Sequence, residues 1–338
     1  MFRSSDILIT EADKRGATDM ERIGICLLDG YAMMSAAAAQ EPLRAANLFS
    51  PVKLYDVVCL SLEATTASSS LPASFHTVPI AEAGYDFDIV FVVAGGDISR
   101  VGSRQLTDWL RRLDRKGVRL GGISGGAGPL ADAGLLEGRR FTIHWHHLDD
   151  LRAKHPNALI ERRLFVLDRD RFTCAGGTAP LDMMHALIAS KHGSAFAQKI
   201  SDWFIQTEVR ASGAPQLAGV EARYGTLPKP VAEAIELMES HLADPLSIDQ
   251  VSSLVGVSAR QLQRQFNAAL GQTPAECYRD IRLAKSRELA QNSAHSAKVI
   301  AEITGFASGS SFATAYAAKF GETFRQTRAA NKAVCHPE

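Results

Sequence analysis

The sequence has no apolar run near the roughly 20 residues that a membrane-crossing helix needs. Its first 20 residues, MFRSSDILITEADKRGATDM, are polar and mixed in charge. They lack the apolar core of a secretory signal and are expected to form a disordered arm. There is no Cys-x-x-Cys pair. Five cysteines, Cys26, Cys59, Cys174, Cys277 and Cys335, are odd in number and widely spaced. That pattern argues against a disulfide framework or a zinc site and for reduced thiols in a cytoplasm. Net charge is also lacking, 37 basic residues balancing 37 acidic ones, which taken alone argues against a nucleic-acid partner.

The charge is unevenly distributed, however. Residues 257–332 hold 11 Lys+Arg and 5 Asp+Glu, a surplus of six, so the rest of the chain is acidic by the same amount. A basic module on a slightly acidic body fits a DNA-binding domain attached to something else. That module contains two copies of one pattern. The first, QVSSLVGVSARQLQRQFNAALGQTPAECYR, runs from Gln250 to Arg279; the second, VIAEITGFASGSSFATAYAAKFGETFRQTR, from Val299 to Arg328. Turn glycines Gly256 and Gly305 are 49 residues apart, and closing glycines Gly271 and Gly321 are 50 apart. Apolar positions correspond: Leu254 with Ile303, Leu262 with Phe312, Phe266 with Tyr316, Leu270 with Phe320.

Each copy reads as a short helix, a glycine turn and a second helix, the layout that places a helix in a major groove. The reading helices are expected over Ala259–Leu270 and Ser308–Phe320. On the first, Arg260, Gln261, Gln263, Arg264 and Asn267 are left for the outer face, and these side-chain types make bidentate contacts to guanine and adenine edges. On the second, Ser310, Ser311, Thr314 and Lys319 face outward. They are mostly short, which predicts weaker base readout and more phosphate contact. Thr273-Pro274 supplies an N-cap and a proline at the first helical position for a connecting helix to about Gln291.

Upstream, residues 22–206 alternate strand and helix patterns. Strands are expected at RIGICLLD (22–29), VKLYDVVCLS (52–61), DIVFVVAGGD (88–97), VRLGGIS (118–124), FTIHW (141–145), RLFVLDRD (163–170) and RFTCAGG (171–177). Near-continuous apolar strands alternating with helices imply a parallel sheet covered on both faces. The helix at 33–49 contains Pro42, which should kink or break it. The expected divisions are an arm at 1–20, an α/β domain at 21–209, a Gly/Pro/Ala-rich linker at 210–229 and the all-α double helix-turn-helix domain at 230–338.

Gly122-Ile123-Ser124-Gly125-Gly126 meets G-x-S-x-G at a strand-to-helix turn, where glycines permit a strained elbow. His144 lies twenty residues on, Gly95-Gly96 ends a neighbouring strand, and the helix N-terminus beyond Ser124 can hold an anion. This is open to two interpretations: a Ser–His hydrolase, with Glu41 or Asp168 as the acid, or a ligand pocket without chemistry. In the pocket, Trp145 and Tyr31 would hold a cation by cation–π contact, while Ser124, the Gly125 and Gly126 amides and His146 would hold a carboxylate. His144 and His146 also alternate on the expected strand, but no third metal ligand is evident. Arg44 and Asn47, one turn apart, fit an interface or a pocket wall. No cofactor is called for.

The C-terminal residues SLVGVSARQLQRQFNAALGQTPAECYR, RLAKSRELA and GFASGSSFATAYAAKFG resemble the AraC family of transcription regulators, over 231 to about 329. Where that family has Ser-Pro and then Tyr-Arg after the second closing glycine, Glu322-Thr323-Phe324 stands here, with Arg328 at the Tyr position. The upstream domain is similar to the PfpI-like, class I glutamine amidotransferase-like fold, with Ser124 at the usual Cys position and His144 at the His position. Glu41-Pro-Leu-Arg-Ala-Ala-Asn47, AGLLEGRR, Thr142-Ile-His-Trp145, Cys174-Ala-Gly-Gly-Thr178 and Leu181-Asp-Met-Met184 extend the resemblance to AraC-type regulators with an amidotransferase-like sensor. It implies a flavodoxin-like sandwich, a cytoplasmic homodimer joined through the sensor, and no catalysis. The implied partners are an operator in double-stranded DNA, a small-molecule effector and RNA polymerase, with no membrane. The implied role is control, by activation, of the catabolism of small nitrogen compounds such as betaine, carnitine or amino acids; the alternative is a Ser-dependent amidase with a DNA-binding tail.

Overall fold

The computed structural model describes residues 20–96, 102–217, 219–293 and 295–335. The arm expected at 1–20 lies outside them except for Met20. The chain divides into two compact units, Met1–Leu217 and Ala218–Glu338.

The first unit begins with β1 (Glu21–Leu27), α1 (Met33–Phe49) and β2 (Tyr55–Ser61), then the short β3 (Thr66–Ser68), β4 (Ser74–His76), β5 (Val78–Pro79) and α2 (Ile80–Ala83). Next come β6 (Ile89–Ala94), α3 (Arg104–Arg115), β7 (Arg119–Ser124), α4 (Ala127–Asp132) and β8 (Arg140–Phe141). After a 3-10 turn at Trp145–His147 follow α5 (Leu148–Lys154), β9 (Leu159–Ile160), β10 (Phe165–Asp168), β11 (Arg171–Cys174), α6 (Ala179–His192) and α7 (Ser194–Trp203).

Seven strands form one sheet in the order β10-β11-β7-β6-β1-β2-β5, parallel except for the β10–β11 pair. The two-residue period of a strand explains both layers. All of β6 is buried; Ile89, Phe91 and Val93 point into the core under α1, α6 and α7, while Val90, Val92 and Ala94 point into the core under α3 and α4. This is the expected parallel-dominated α/β sandwich of flavodoxin-like type.

Helix α1 runs unbroken through Pro42, against expectation. A proline inside a helix costs about 3 kcal/mol, but Ala38, Ala39, Pro42, Leu43, Ala45 and Ala46 are all buried, and that packing keeps the helix continuous. Asn47 is structural: its Oδ1 accepts the Leu54 and Tyr55 amides at 2.8 and 2.9 Å, and its Nδ2 donates to the Tyr55 carbonyl. Arg44 instead pairs with Glu41 at 2.6 Å on the surface.

The first unit extends to Leu217, into the first part of the stretch expected as linker. Asp182, fully buried on α6, accepts the Gln206 amide and the Arg210 backbone and guanidinium, and Gln216 is bonded into the 142–163 region. These distant partners order a composition that looks like a loop.

The second unit comprises α8 (Val220–Tyr224), α9 (Lys229–Ser240), α10 (Ile248–Leu254), α11 (Ala259–Leu270), α12 (Pro274–Asn292), α13 (Ala297–Ile303), α14 (Gly309–Phe320) and α15 (Phe324–Cys335). It has two small cores. One gathers Val231, Ile235, Met238, Val251, Leu262, Phe266 and Tyr278; the other Leu283, Leu289, Ile300, Phe312 and Tyr316, with Phe306, Phe320 and Phe324 packed on it. No described helix is long and apolar enough to cross a membrane.

Candidate nucleic-acid interface and ligand site

Helix α11 starts where Ser258 accepts the Gln261 amide at 3.2 Å and stops at the left-handed Gly271. Leu262 and Phe266 are fully buried, so the opposite face must look outward. Arg260, Gln263, Arg264 and Asn267 form an i, i+3, i+4, i+7 stripe there, with Gln261 beside it, and all five are exposed. They line one shallow groove with Ser258. Such a row of long donors and acceptors suits base edges.

Helix α14 has the same caps. Ser308 accepts the Ser311 amide at 3.1 Å, and the left-handed Gly321 ends the helix. Its exposed face differs. Ser310 Oγ lies 3.0 Å from Ser308 Oγ, and Ser311 Oγ donates to the Ser308 carbonyl at 2.9 Å, so both serines are tied to the cap. Thr314 is exposed. Lys319, expected to reach phosphate, is held by Asp280 of α12 at 2.6 Å. That pair was not legible because Asp280 lies 39 residues away.

The departure from the AraC pattern after Gly321 leaves the last helix intact. Thr323 Oγ1 accepts the Gln326 amide while Gln326 Oε1 accepts the Thr323 amide, a capping box like that of Thr273 and Glu276 at α12. Phe324 packs on Phe312 and Tyr316, and Arg328 donates to the Ala290, Ser293 and His295 carbonyls.

In the first unit the C-terminal ends of the parallel strands converge at Ser124, one of three described non-glycine residues at positive φ, 59°. The glycines around it are sterically required. A Cβ on Gly122 would lie 2.5 Å from the Ala127 nitrogen, one on Gly126 1.8 Å from the Val92 carbonyl, and one on Gly176 2.5 Å from Ser124 Cβ. Gly95 has no room either, with Gly30 O at 2.7 Å and Ala32 N at 2.8 Å from its would-be Cβ. Gly95 and Tyr31 therefore meet where β1 and β6 part, and the β1→β2 and β6→β7 connections run to opposite sides. Open α/β sheets bind ligands at such switch points.

The elbow is the expected one; several of its groups are not placed as expected. The Gly125 amide donates to the Ala94 carbonyl at 3.1 Å and the Gly126 amide to Ile123 at 3.0 Å, so both expected anion donors are used inside the turn. Tyr31 is fully buried with its ring centroid 6.1 Å from Phe75, making it a core residue and not a cation-facing ring. The expected strand 141–145 ends at Phe141. His144, Trp145 and His146, all half-buried, sit on the turn beyond it, so the strand alternation of the histidines is lost. Gly96 is exposed. Cys174, beneath the elbow, is pushed up to about 12 by burial, and its protonated thiol is inert.

The His144 backbone N–H donates to the Ser124 carbonyl at 3.3 Å, binding turn to elbow. His144 Nδ1 accepts the His146 amide at 3.2 Å. A neutral ring accepting at Nδ1 carries its proton on Nε2, and so presents a donor where a general base needs a lone pair. The candidate acids are committed elsewhere, Glu41 to Arg44, and Asp168 to the Arg140 amide and Arg169.

Residues 251–330 match the helix-turn-helix domain family model, and residues 22–190 match the DJ-1/PfpI family. The HTH-type transcriptional regulator GlxA of Rhizobium meliloti is 41% identical over 90% of this chain and 94% of its own. The HTH-type transcriptional regulator CdhR of Pseudomonas aeruginosa is 37% identical over 90% of each. A solved AraC family transcriptional regulator from Pseudomonas putida is 26% identical, with a TM-score of 0.50, over 54% of this chain and 99% of that one.

Proposed function

The chain belongs to the AraC-type helix-turn-helix transcriptional regulators that carry a DJ-1/PfpI domain, and we propose that it is a ligand-responsive activator of small nitrogen-metabolite catabolism. It is a DNA-binding regulator and not an enzyme. Operator sequence is read chiefly by Arg260, Gln261, Gln263, Arg264 and Asn267 on α11, with Ser310, Ser311 and Thr314 of α14 near the phosphates. The effector sits at the Ser124 turn, the protein acts as a homodimer joined through its first unit, and the second unit contacts RNA polymerase.

The strained, glycine-walled Ser124 turn beside the His144–His146 cluster carries the effector assignment. A small molecule bearing both a cation and a carboxylate fits its chemistry. Trp145 offers a half-buried indole face, worth up to about 2 kcal/mol to a desolvated cation. The Ser124 hydroxyl and the His144 and His146 rings stand where they would border a carboxylate, with the Gly95-Gly96 turn alongside.

The test is a thermal-shift series on the full chain with glycine betaine, L-carnitine, L-arginine and choline. One compound carrying both charges should stabilise saturably, by about 2.7 kcal/mol at a hundredfold excess over its Kd, and Trp145→Ala should cut that shift to roughly a third at the same concentration. Choline, which lacks the carboxylate, should be weaker. No shift with any of the four overturns this effector class.

A further inference from the structure

We propose that residues 206–217 are the output strap of the first unit, and that Gln216 is the positioning residue through which the state of the Ser124 turn reaches the DNA-binding unit. This rests on the reading of that turn as the effector site. The strap is fastened at two points, and both fastenings lie on segments that build the elbow.

The first fastening is Asp182. Its carboxylate is fully buried and accepts the Gln206 amide at 2.9 Å, the Arg210 backbone N–H at 2.8 Å and the Arg210 guanidinium at 3.0 and 2.6 Å. Arg210 also donates to Thr178 Oγ1 at 2.8 Å. Thr178 and Asp182 stand two and six residues after Gly176, the glycine packed against the Ser124 side chain.

The second fastening is Gln216. Its Nε2 donates toward Thr142 Oγ1 at 3.0 Å, the Ile143 carbonyl at 3.0 Å and the Arg163 carbonyl at 2.8 Å. Its Oε1 is buried without a hydrogen-bond partner among the described residues. Between the fastenings, the Leu164 amide donates to the Ser212 and Ala214 carbonyls at 3.1 Å.

The steps from elbow to exit are few. The Ser124 carbonyl holds the His144 N–H, His144 follows Ile143, and the Ile143 carbonyl holds Gln216. One residue later, at Leu217, the first unit ends. A ligand that binds better to one arrangement of the 142–147 turn than to another must also favour one seating of Gln216.

The test uses the full chain and a duplex selected from a random library for tight binding. Gln216→Ala, Gln216→Glu and Arg210→Ala should each change operator Kd by roughly 5- to 150-fold, the usual span of allosteric coupling, although none of these residues belongs to the DNA-binding unit. Leu110→Ala, in the core under α3 and away from the strap, is the control for plain destabilisation. It should lower the melting temperature and leave operator Kd unchanged. Operator Kd within twofold of the parent for both Gln216 variants overturns the strap, as does a Leu110→Ala effect of equal size.

A second arm measures operator Kd with and without saturating glycine betaine, L-carnitine or L-arginine. A compound that stabilises the parent chain should shift its Kd; in Gln216→Ala it should still stabilise but no longer shift Kd. Retention of the Kd shift in that variant overturns the strap. If no compound stabilises the parent, the effector class fails, while the first arm still decides the strap.

Discussion

The two helix-turn-helix copies share a backbone and differ in what they leave exposed. In each, a serine caps the second helix and a left-handed glycine closes it. The first helix then offers a stripe of Arg, Gln and Asn, while the second offers serines tied to their own cap and a lysine tied to Asp280. The turns differ too. A Cβ on Gly256 would meet nothing within 4 Å, whereas one on Gly305 would lie 2.4 Å from the Leu242 carbonyl and 2.5 Å from Pro245. Arg282 donates to the Thr304 and Gly305 carbonyls and stacks over Phe306 at 4.3 Å. The second copy is thus packed by its turn onto the α9–α10 connection. One copy leaves its polar stripe open to solvent, and its repeat is held in place by its turn.

The largest expected difference lies at those glycines. Both sit at positive φ, 73° and 69°, so alanine costs about 1–2 kcal/mol at either. At Gly305 the added methyl also collides with backbone, an overpacking cost of about 1–3 kcal/mol more. Urea unfolding of Gly256→Ala and Gly305→Ala should separate them by that margin. Equal destabilisation would mean that the second turn is not pinned.

Next in size is the contrast in DNA contact. Arg264→Ala should cost about 1–3 kcal/mol of specific operator affinity and relax base preference. Lys319→Ala should cost less and leave the salt dependence unchanged, because its ammonium is already paired. Fluorescence anisotropy at several salt concentrations checks both. A salt slope reduced by about one in Lys319→Ala would identify a phosphate contact that forms when the Asp280 pair opens.

What could be read in the sequence was what local spacing determines. The cap at Thr273, the turn glycines, the buried faces of α11 and α14, the near-continuous apolar run of β6 and the elbow at Ser124 all follow from neighbours a few residues away. What could not be read depends on partners far along the chain. Residues 141–145 look like a strand by apolar content, yet the Thr142 amide donates to Thr173 Oγ1 and the His144 amide to the Ser124 carbonyl. Residues 210–217 look like a linker by composition and are fastened by Asp182 and Arg163. Leu254, matched in sequence with Ile303, is 64% exposed, while Ile303 packs on its core.

The smallest expected effect concerns the capping boxes of α12 and α15, which are alike in geometry and differ in one functional group. Thr273 is paired with Glu276, Thr323 with Gln326. Only the first can titrate. The Thr273 amide and then its hydroxyl, both donating to the carboxylate, hold Glu276 below its ordinary value of 4.5. A carboxylate with a lowered folded pKa stabilises fully above its unfolded value, and that contribution is lost as pH falls through the folded one. The start of α12 should therefore weaken with acid while the start of α15 should not. Melting temperatures from about pH 6 down to about pH 3 should fall slightly less steeply in Glu276→Gln than in the parent. Thr323→Ala should lower the melting temperature by the same amount at every pH, since neither member of its box carries a proton that the folded state can shift. Parallel acid limbs for Glu276→Gln and the parent would mean that Glu276 caps the helix no better charged than neutral, and the two boxes would then be equivalent in charge as well as in shape.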